Sequence, residues 1–479
     1  MSVSDESPIR LRHRGSRAES STALARVVDP QRVLVSTMPR QARRIAALII
    51  VGGFAVLLFM VARNRDLADW HPSGRLAWSL SLLVAVMLLA RGIDLGRPVT
   101  GVHAATALAM LLAGVGAHLV GLGVPGDLLV AGAGFVVMWP LPSRPGGGPE
   151  SVWPLILATR GDPLAPFAMQ STKSVFFNDD RTAVLTYRTR LGFAVVSGDP
   201  IGDSSRYRAL VADFARMCQR RGWRIMVLSC GAQRLELWRD AALVHQSLMA
   251  VPIGRDVVVD VANFDMSGRR FRNLRQAVAR THNRGITTEI VYEQGISDAL
   301  KAELTDVVRA SHGVGRYERG FSMMLDGVLE GRYPGVVLIV GRDHNGRVQA
   351  FHRYTQSGAG SDVSLDLPWR RLGAPNGIDE RLTVDMIAWC KARGTRRVSL
   401  AFAAFPELFD TKDQTVAQHV YYSLIRLGEP LIRLESLYRY LGKFHALGRR
   451  RYVLVSVRHL PAALLVLLSL EFVPHRPHR

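Results

Sequence analysis

The chain of 479 residues carries 61 Lys and Arg against 40 Asp and Glu, which gives a formal net charge of +21 at pH 7. Such an excess attracts polyanions, so nucleic acid or an anionic lipid surface is an expected partner, although Arg at merely solvated positions gives the same balance. The cysteines Cys218, Cys230 and Cys390 form no CxxC pair, which argues against a disulfide scaffold and against a zinc site of usual spacing.

The amino-terminal part predicts a basic tail followed by membrane helices. Residues 1–44 are polar and Arg-rich without hydrophobic periodicity, which is typical of a disordered tail and not of a cleaved signal peptide. Residues 45–141 are predicted to form a transmembrane region of about four helices, at Ile45–Ala62, Leu76–Ala90, Val102–Val124 and Leu128–Leu141. The second and fourth are short for a span, so buried core helices are the alternative for those two.

The expected topology follows from charge and from the number of crossings. The Arg-rich tail predicts a cytoplasmic amino terminus, and four crossings return the rest of the chain to the cytoplasm. A Pro/Gly-rich linker is predicted at 142–152, where the sequence PSRPGGGP occurs. It separates the membrane region from a domain predicted at 153–445 and a basic, apolar segment at 446–479.

Strand-like and helix-like segments alternate in the predicted domain, which indicates an α+β fold of two similar lobes in tandem. The predicted strands are Ala183–Thr189, Gly192–Ser197, Arg224–Ser229, Val257–Val261, Thr287–Tyr292, Val336–Gly341, Val348–Thr355, Asp362–Asp366 and Arg397–Phe402. The predicted helices are Tyr207–Arg221, Arg269–Arg284, Ser297–Ser311 and Ile378–Arg393. A last apolar run, Leu460–Val473, is too short to span a membrane and is either a core helix or an interfacial one.

Few short motifs carry chemistry by themselves. The segment GDPIG at Gly198–Gly202 lacks the GxxxxGK[ST] pattern of a phosphate-binding loop and is more typical of a turn. No HExxH, GxSxG or EF-hand pattern is present. His282, His312 and His352 are isolated in the sequence, and an isolated histidine is more often a satisfied polar residue than a catalyst.

The predicted helix at Arg269–Arg284 is strongly basic and contains no acidic residue. Phe271, Leu274 and Val278 form an apolar stripe at helical spacing, which must pack inward and turn most guanidinium groups outward. A solvated surface helix is one interpretation, but a solvated face usually mixes charges of both signs. We therefore predict a face that binds phosphates of tRNA or lipid, formed by Arg269, Arg270, Arg272, Arg275, Arg280 and Arg284.

Motifs in a fixed order carry a family resemblance over roughly residues 155 to 410. They are STKSVFFNDD from Ser171, GDPIGD from Gly198, FRNLRQAVARTHNRG from Phe271, ERGFSM from Glu318, SLDLPWRRLGAPNGIDERL from Ser364 and RVSLAFAAF from Arg397. This region resembles the synthase domain of the MprF family, the phosphatidylglycerol lysyltransferases, and the related LysX proteins. The segment LESLYRYLGKF from Leu434 resembles the part of LysX that follows.

The resemblance implies two acetyltransferase-like lobes that share a tunnel. They are expected to transfer an aminoacyl group, lysyl as the family name indicates, from aminoacyl-tRNA to phosphatidylglycerol at the cytoplasmic membrane face. Such an exchange of one ester for another is near thermoneutral, so positioning in a dry tunnel supplies most of the catalysis. It requires no metal and no other cofactor. The resemblance leaves the transferred amino acid open among lysine, alanine and ornithine.

The resemblance, carried over position by position, and the chemistry of the residues also suggest site residues. Asp366 and Glu318 fall where the family has acids near the bound aminoacyl group, and a cationic amino acid needs carboxylate partners. Asp366 is predicted to close its strand, with Arg370 facing the same cleft. The predicted catalytic residues are Asp366 and His352, and the predicted substrate-binding residues are Glu318, Arg370, Asn376 and Glu380, with a structural ion pair as the alternative for Glu380.

Three other functions compete with this one. An acyl-CoA-dependent N-acyltransferase would use the same fold, but the [QR]xxGx[GA] loop of such enzymes is not found before a helix in either predicted lobe. Transfer from tRNA to a peptidoglycan precursor would need only a different acceptor. A non-catalytic protein that binds anionic lipid remains the third. Compared with MprF, four short helices are not expected to flip lipid, and compared with LysX, a lysyl-tRNA synthetase module is not expected here.

Overall fold

The computed structural model describes residues 33–35, 40–63, 72–94, 99–140, 143, 146, 148–311, 323–404 and 439–472. The chain divides into two compact units, which we describe separately. The first comprises residues 1–141 together with 219–223, and the second comprises residues 142–218 together with 224–479.

The first unit contains helices at each of the four predicted apolar segments. They are α1 (Arg40–Arg63), α2 (Pro72–Asp94), α3 (Gly101–Leu119) and α4 (Gly123–Met138). Two short antiparallel strands accompany them, β1 (Val33–Val35) and β2 (Val99–Thr100), so the predicted tail includes one strand. Residues 40–44 of that tail belong to α1, which corrects the predicted boundary, and residues 1–32 and 36–39 lie outside the described residues.

Small residues bring the helices of this unit close together. A Cβ atom added at Gly134 of α4 would lie 2.4 Å from the carbonyl oxygen of Ala85 in α2. One added at Gly126 would lie 2.9 Å from the carbonyl oxygen of Gly114 in α3. Close backbone approach through small residues is the packing mode of helices in lipid, although it also occurs in soluble proteins.

One helix in the described part of the chain, Gly101–Leu119, is long and apolar enough to cross a membrane. Its leucines Leu108, Leu112 and Leu119 are more than half exposed, at 57%, 66% and 83%. The four predicted crossings are therefore present as helices, while their passage through a membrane stays a prediction.

The second unit is built on one sheet of 12 strands in the order β3-β4-β5-β7-β14-β8-β13-β12-β11-β10-β9, with β6 beside β4. The strands are β3 (Ser174–Phe177), β4 (Ala183–Arg190), β5 (Phe193–Ser197), β6 (Ile201–Gly202), β7 (Arg224–Gly231), β8 (Met249–Asp260), β9 (Thr287–Tyr292), β10 (Val336–Arg342), β11 (Val348–Ser357), β12 (Asp362–Arg370), β13 (Arg397–Ala404) and β14 (Leu447–Val455). The helices are α5 (Pro149–Ala158), α6 (Tyr207–Arg220), α7 (Leu235–Arg239), α8 (Ala241–Val244), α9 (Arg272–Asn283), α10 (Asp298–Ala310), α11 (Ile378–Ala392) and α12 (Leu460–Phe472).

The same connectivity occurs twice in this sheet. In the first repeat, β3, β4 and β5 form an antiparallel run, and α6 then leads to β7, which is parallel to β5. In the second, β10, β11 and β12 form the run, and α11 leads to β13, which is parallel to β12. The prediction of an α+β domain with two similar lobes in tandem is therefore confirmed.

The two lobes exchange their last strands. Strand β8 follows the first repeat in the chain but pairs with β13 of the second. Strand β14 follows the second repeat but pairs with β7 of the first. Because β8 and β14 also pair with each other, the sheet runs without a break from one lobe to the other.

Helix α12 resolves the alternatives for the last apolar run, because both apply in part. Ala463, Val466 and Leu470 are buried in a cluster with Val453 and Val455 of β14. On the opposite side, apolar side chains stay exposed, namely Leu460, Leu464, Leu465 and Leu468. One face is thus a core face, and the other has the composition of an interfacial helix.

Candidate functional site

The amino-terminal end of α11 lies directly against the basic helix. Gly377 precedes α11 with a φ of 99°, a conformation that favours glycine. A Cβ atom added there would lie 2.7 Å from the carbonyl oxygen of Ala277 in α9. The tight contact of the two backbones therefore requires glycine at this position, and it places the basic helix beside the predicted residues Asn376 and Glu380.

Asp379, in the first turn of α11, joins two of the predicted site residues. Its carboxylate accepts from Nε2 of His352 at 3.1 Å and from a guanidinium nitrogen of Arg370, also at 3.1 Å. The side chain of His352 is fully buried, whereas those of Asp379 and Arg370 are 21% and 56% exposed. The solvent-facing end of this cluster is therefore a carboxylate beside a guanidinium.

The charge of Asp379 is set by these contacts. Burial alone would raise its pKa, but the hydrogen bond and charge of His352, with the charges of Arg370 and Lys443, leave the pKa below its usual value. Asp379 is therefore ionised at neutral pH. A carboxylate of this kind can receive an ammonium group, and the neighbouring guanidinium can receive a phosphate or carbonyl oxygen.

Behind His352 runs a chain of buried hydroxyl groups. Nδ1 of His352 lies 3.5 Å from the hydroxyl of Tyr354, which lies 3.5 Å from Oγ1 of Thr383. That oxygen lies 2.6 Å from the hydroxyl of Tyr440. Burial raises the pKa of both tyrosines, so both stay protonated and available as donors. Both ring nitrogens of His352 thus face protein groups, and this geometry favours a positioning role over the predicted proton acceptance.

The remaining predicted residues near α11 differ in their surroundings. Glu380 is buried and pairs with Lys443, which corresponds to the structural alternative for this residue. Asn376 is exposed in the loop before the helix. Sequence reasoning missed Asp379, although a signal existed, because acids in the first turn of a helix are favoured by the helix dipole. Asp379 and Glu380 are both first-turn acids of α11.

Asp366 does not join this cluster, which corrects the expectation that it closes a strand and shares a cleft with Arg370. Strand β12 continues to Arg370, and its pairing with β11 is irregular between Arg353 and Tyr354. These two residues oppose Leu367 and Leu365, so Asp366 is the extra residue of a bulge. The bulge directs its carboxylate to Arg353, whose side chain leaves β11 on the face opposite to that of His352.

Arg353 is the centre of a second, fully buried cluster. Its guanidinium donates to Glu293 at 2.8 Å and to Asp366 at 2.9 Å, and all three side chains are 0% exposed. The backbone N–H of Leu325 also donates to Asp366 at 2.9 Å. Burial raises the pKa of Asp366 to about 6 against the opposing charge of Arg353. Glu318, the acid predicted to work with Asp366, lies outside the described residues.

The basic helix matches its prediction closely. Arg269–Phe271 form a short 3₁₀ turn that leads into α9, with Phe271 and Leu274 buried. All six arginines of the predicted face are exposed, and none forms an ion pair within the described part of the chain: Arg269, Arg270, Arg272, Arg275, Arg280 and Arg284. Arg275 has a local role, since it donates to the backbone carbonyls of Met266 and Gly268.

The GDPIGD motif belongs to a third cluster, around Arg451 of β14. This guanidinium donates to Asp162 at 2.9 Å, to Asp199 at 3.2 Å and to Asp256 at 2.8 Å. Burial raises the pKa of Asp199 to about 6 against the charge of Arg451. The motif begins as a turn after β5, as predicted, but its residues Ile201 and Gly202 form strand β6. Among the residues that the structure describes, no group of acids, histidines and cysteines is arranged to hold a metal ion.

Comparison with known proteins adds to this geometry. The family model described as "Phosphatidylglycerol lysyltransferase, C-terminal" matches residues 155–455. The MprF-like domain protein Rv1619 of Mycobacterium tuberculosis is 56% identical over 462 residues, which cover 96% of this chain and 95% of that protein. The lysylphosphatidylglycerol biosynthesis bifunctional protein LysX of Mycobacterium marinum is 31% identical over 62% of this chain, a match that spans only 27% of LysX.

Two solved structures share the fold. L-PGS from Bacillus licheniformis superposes with a TM-score of 0.59 at 20% identity, covering 69% of this chain and 98% of that one. The C-terminal domain of a putative lysylphosphatidylglycerol synthetase from Agrobacterium fabrum superposes with a TM-score of 0.58 at 22% identity, covering 68% and 96%. These two structures show the fold, whereas the family match over residues 155–455 and the 56% identity to the MprF-like domain protein show that the chain belongs to the MprF-like phosphatidylglycerol lysyltransferase family.

Proposed function

We propose that this protein transfers an aminoacyl group, lysyl in the first instance, from aminoacyl-tRNA to phosphatidylglycerol at the cytoplasmic face of a membrane. Beyond family membership, one observation carries the proposal. Helix α9, whose exposed arginines have no acid among them, packs through the backbone of Ala277 against the start of α11, near which Asp379 and Arg370 reach solvent. A site for phosphates thus adjoins a site for an ammonium group and an acyl oxygen.

The chemistry requires little from the protein beyond binding and orientation. A glycerol hydroxyl of the lipid attacks the aminoacyl carbonyl carbon, the bond to the ribose oxygen breaks, and the hydroxyl proton passes to that oxygen. In the proposed complex Asp379 binds an ammonium group of the aminoacyl moiety, whose desolvation would otherwise be costly. Arg370 binds an anionic or carbonyl oxygen, and His352 fixes the Asp379 carboxylate from behind. The charge of the membrane surface changes as a result.

The helices of the first unit supply the proposed membrane attachment. Gly101–Leu119 has the length and composition of a span, and α1, α2 and α4 are the remaining predicted crossings. With an even number of crossings and the basic tail inside, the sheet unit would face the cytoplasm, where charged tRNA is found. The exposed leucines of α12 would lie at the lipid surface in this arrangement.

The test is lipid mass spectrometry of a host that makes no aminoacylated phosphatidylglycerol, with and without expression of this chain. We expect a new lipid heavier than phosphatidylglycerol by one aminoacyl residue, whose mass identifies the amino acid. Asp379→Asn should lower its yield about 10- to 100-fold, because a charge-assisted hydrogen bond to the ammonium is lost. The matched control is Asp306→Asn, which removes only a surface pair with Arg371 and should leave the yield unchanged.

Absence of any new lipid, with the protein present in the membrane fraction, would reject the proposal. A lipid product from a variant at Asp379 equal to that of the wild type would reject the role of this residue but not the reaction. If no new lipid forms, the functions to examine are transfer to a peptidoglycan precursor, transfer from acyl-CoA, and lipid binding without catalysis.

A further inference from the structure

A second basic region lies at the opposite end of α11, around a cavity of about 410 Å³. Its wall is formed by the carboxyl-terminal end of α11, the turn between β11 and β12, and the edge of β9. No Asp or Glu lines it, whereas three arginines do: Arg160, Arg393 and Arg396. The volume falls within the ~300–1,000 Å³ of small-ligand sites.

The three arginines are exposed, and none of them pairs with a carboxylate in the described ranges. Arg393 lies over the ring of Trp389 at 4.5 Å and donates to the hydroxyl of Tyr292 at 3.4 Å. Guanidinium groups that share a cavity without acids repel one another, and a bound anion relieves that repulsion. The arrangement also presents two aromatic rings, because Trp389 and Tyr292 line the same cavity.

The turn at Gly358–Gly360 gives the cavity a backbone contribution. Its residues have φ values of 58°, 54° and 86°, so three consecutive residues are left-handed, including Ala359. An alanine in this region is strained, and strain of this kind clusters where a ligand is held. Turns with successive backbone N–H groups directed to one side form concave anion sites. Another residue at Gly358 would be strained by the positive φ, and its Cβ atom would force the side chain of Ser361 to move.

The geometry points to a nucleotide of a single-stranded RNA as the occupant of this cavity, with its phosphate held by Arg160, Arg393 and Arg396 and its base stacked on Tyr292, because Arg393 already covers the ring of Trp389. Guanidinium groups together with aromatic faces are the chemistry by which proteins hold unpaired nucleotides. A lipid phosphate fits less well, since Ala359 and Val363 are the two aliphatic residues among those that line the cavity, and acyl chains would find little apolar wall.

The inference rests on the proposed function, whose donor is a tRNA, and assigns a contact for that RNA away from the reacting end. Helix α11 has 15 residues and therefore spans about 22 Å between the cavity and the cluster of Asp379. A single small molecule does not cover this distance, but a nucleic acid strand does. The cavity would hold the strand while the basic face of α9 and the start of α11 hold its aminoacylated end.

The test measures binding of a fluorescently labelled four-nucleotide RNA to the full-length protein in neutral detergent, by fluorescence anisotropy at several salt concentrations. Arg393→Gln/Arg396→Gln should weaken binding about tenfold and make the slope of log affinity against log salt shallower by about 1.4, which is 0.7 for each lost phosphate contact. The control with equal loss of charge is Arg309→Gln/Arg347→Gln, two exposed arginines outside the cavity, and we expect wild-type binding.

An abasic oligomer of the same length tests the stacking. It should bind the wild type about tenfold more weakly than the RNA does, because one base loses its aromatic contact. Tyr292→Leu should reduce that difference without changing the salt slope. Tyr292 is 49% exposed on a strand at the edge of the sheet, so its replacement spares the core.

The failures of the two proposals are distinguishable. If the cavity variant binds RNA like the wild type while the lipid product forms, the cavity inference is wrong and the proposed function stands. An equal loss in the control double variant would mean non-specific attraction and would overturn the inference. If the cavity variant no longer sediments with phosphatidylglycerol vesicles but binds RNA like the wild type, the cavity holds a lipid phosphate and the inference is wrong. A wild type that binds no RNA overturns the inference, and the lipid assay then decides separately whether transfer occurs.

Discussion

At the scale of single residues, the sequence located the important side chains but not their partners. His352 and Arg370 are both predicted site residues and both contact Asp379 at the start of α11, whereas Glu380 pairs with Lys443; their roles stay predictions. Asp366 was placed with them and is on the other face of the sheet. A bulge inserts one residue and reverses the alternation beyond it, and the sequence SLDLPWR carries no signal for such an insertion.

The raised pKa of Asp366 predicts a pH dependence of stability that a single substitution isolates. The folded-state pKa is about 6 and the ordinary value is 3.8, so the folded state binds the proton more tightly than the unfolded state. Below pH 4 the carboxyl is neutral in both states. As pH rises from about 4 to about 6, the folded state must give up a proton that it holds more tightly, and about 3 kcal/mol of stability is lost relative to a residue that does not titrate.

Asp366→Asn removes this titration and keeps the shape of the side chain. We expect the melting temperature of the wild type, relative to that of the variant, to fall between pH 4 and pH 6.5 in detergent solution. Asp306→Asn, on the surface, serves as the control and should follow the wild type at every pH. A difference in melting temperature between the wild type and Asp366→Asn that does not change with pH would mean that Arg353 keeps Asp366 ionised throughout this range.

At the scale of elements, periodicity located the helices and strands well. Strand β9 has the predicted bounds. Helices α6 and α11 end one residue earlier than predicted, and α10 is one residue shorter at each end. The missed elements have physical explanations. Strand β3 has four residues, too few for an alternating pattern, and β14 begins LGRRRYVLV, in which three consecutive arginines indicate a solvated loop. Tertiary pairing with β7 and β8 overrides that local preference.

The basic helix gives an element-scale prediction about electrostatics. Arg272→Gln/Arg280→Gln should weaken binding of whole tRNA and make its salt dependence shallower, because each arginine that contacts a phosphate releases a counterion. Melting temperature should not change, since both side chains are exposed and form no ion pair with described residues. Arg275 is unsuitable for this test because it holds the turn at Met266 and Gly268.

The control for the basic helix is Arg309→Gln/Arg347→Gln, which removes the same charge elsewhere. Binding measured between about 50 and about 300 mM salt, which is about one third to twice the physiological ionic strength, separates the two variants. A salt slope of the α9 variant identical to that of the wild type would remove this helix from the binding surface and leave it as a solvated face.

At the scale of the whole sheet unit, the exchange of strands was beyond sequence reasoning. Two similar lobes were predicted, but the pairing of β8 with β13 and of β14 with β7 connects segments far apart in the chain. Periodicity reports only local order, so it gives no information on which strands become neighbours. Arg451 illustrates the result, because its guanidinium, near the end of the chain, binds the carboxylates of Asp162, Asp199 and Asp256 from three much earlier segments.

Arg451→Met should destabilise the unit as a whole. Three buried carboxylates would lose their counter-charge, at a cost of about 3–5 kcal/mol. We expect a large fall in melting temperature at pH 8 and a smaller one at pH 5, because burial raises the pKa of Asp199 and of Asp256, and their protonation removes part of the unpaired charge. Arg449→Met, exposed on the same strand segment, is the control and should be close to neutral. An equal fall at both pH values would attribute the effect to lost packing.

The strand exchange also sets the order in which a newly made chain can fold. About 200 residues separate the end of β7 at Gly231 from the start of β14 at Leu447, its partner. A ribosome needs roughly 10 to 40 seconds to make that length. During this time the first lobe has an open edge at β7 and a group of carboxylates without their arginine. The sheet therefore closes only after synthesis is nearly complete, and a chaperone that covers exposed strand edges is the expected companion of this interval.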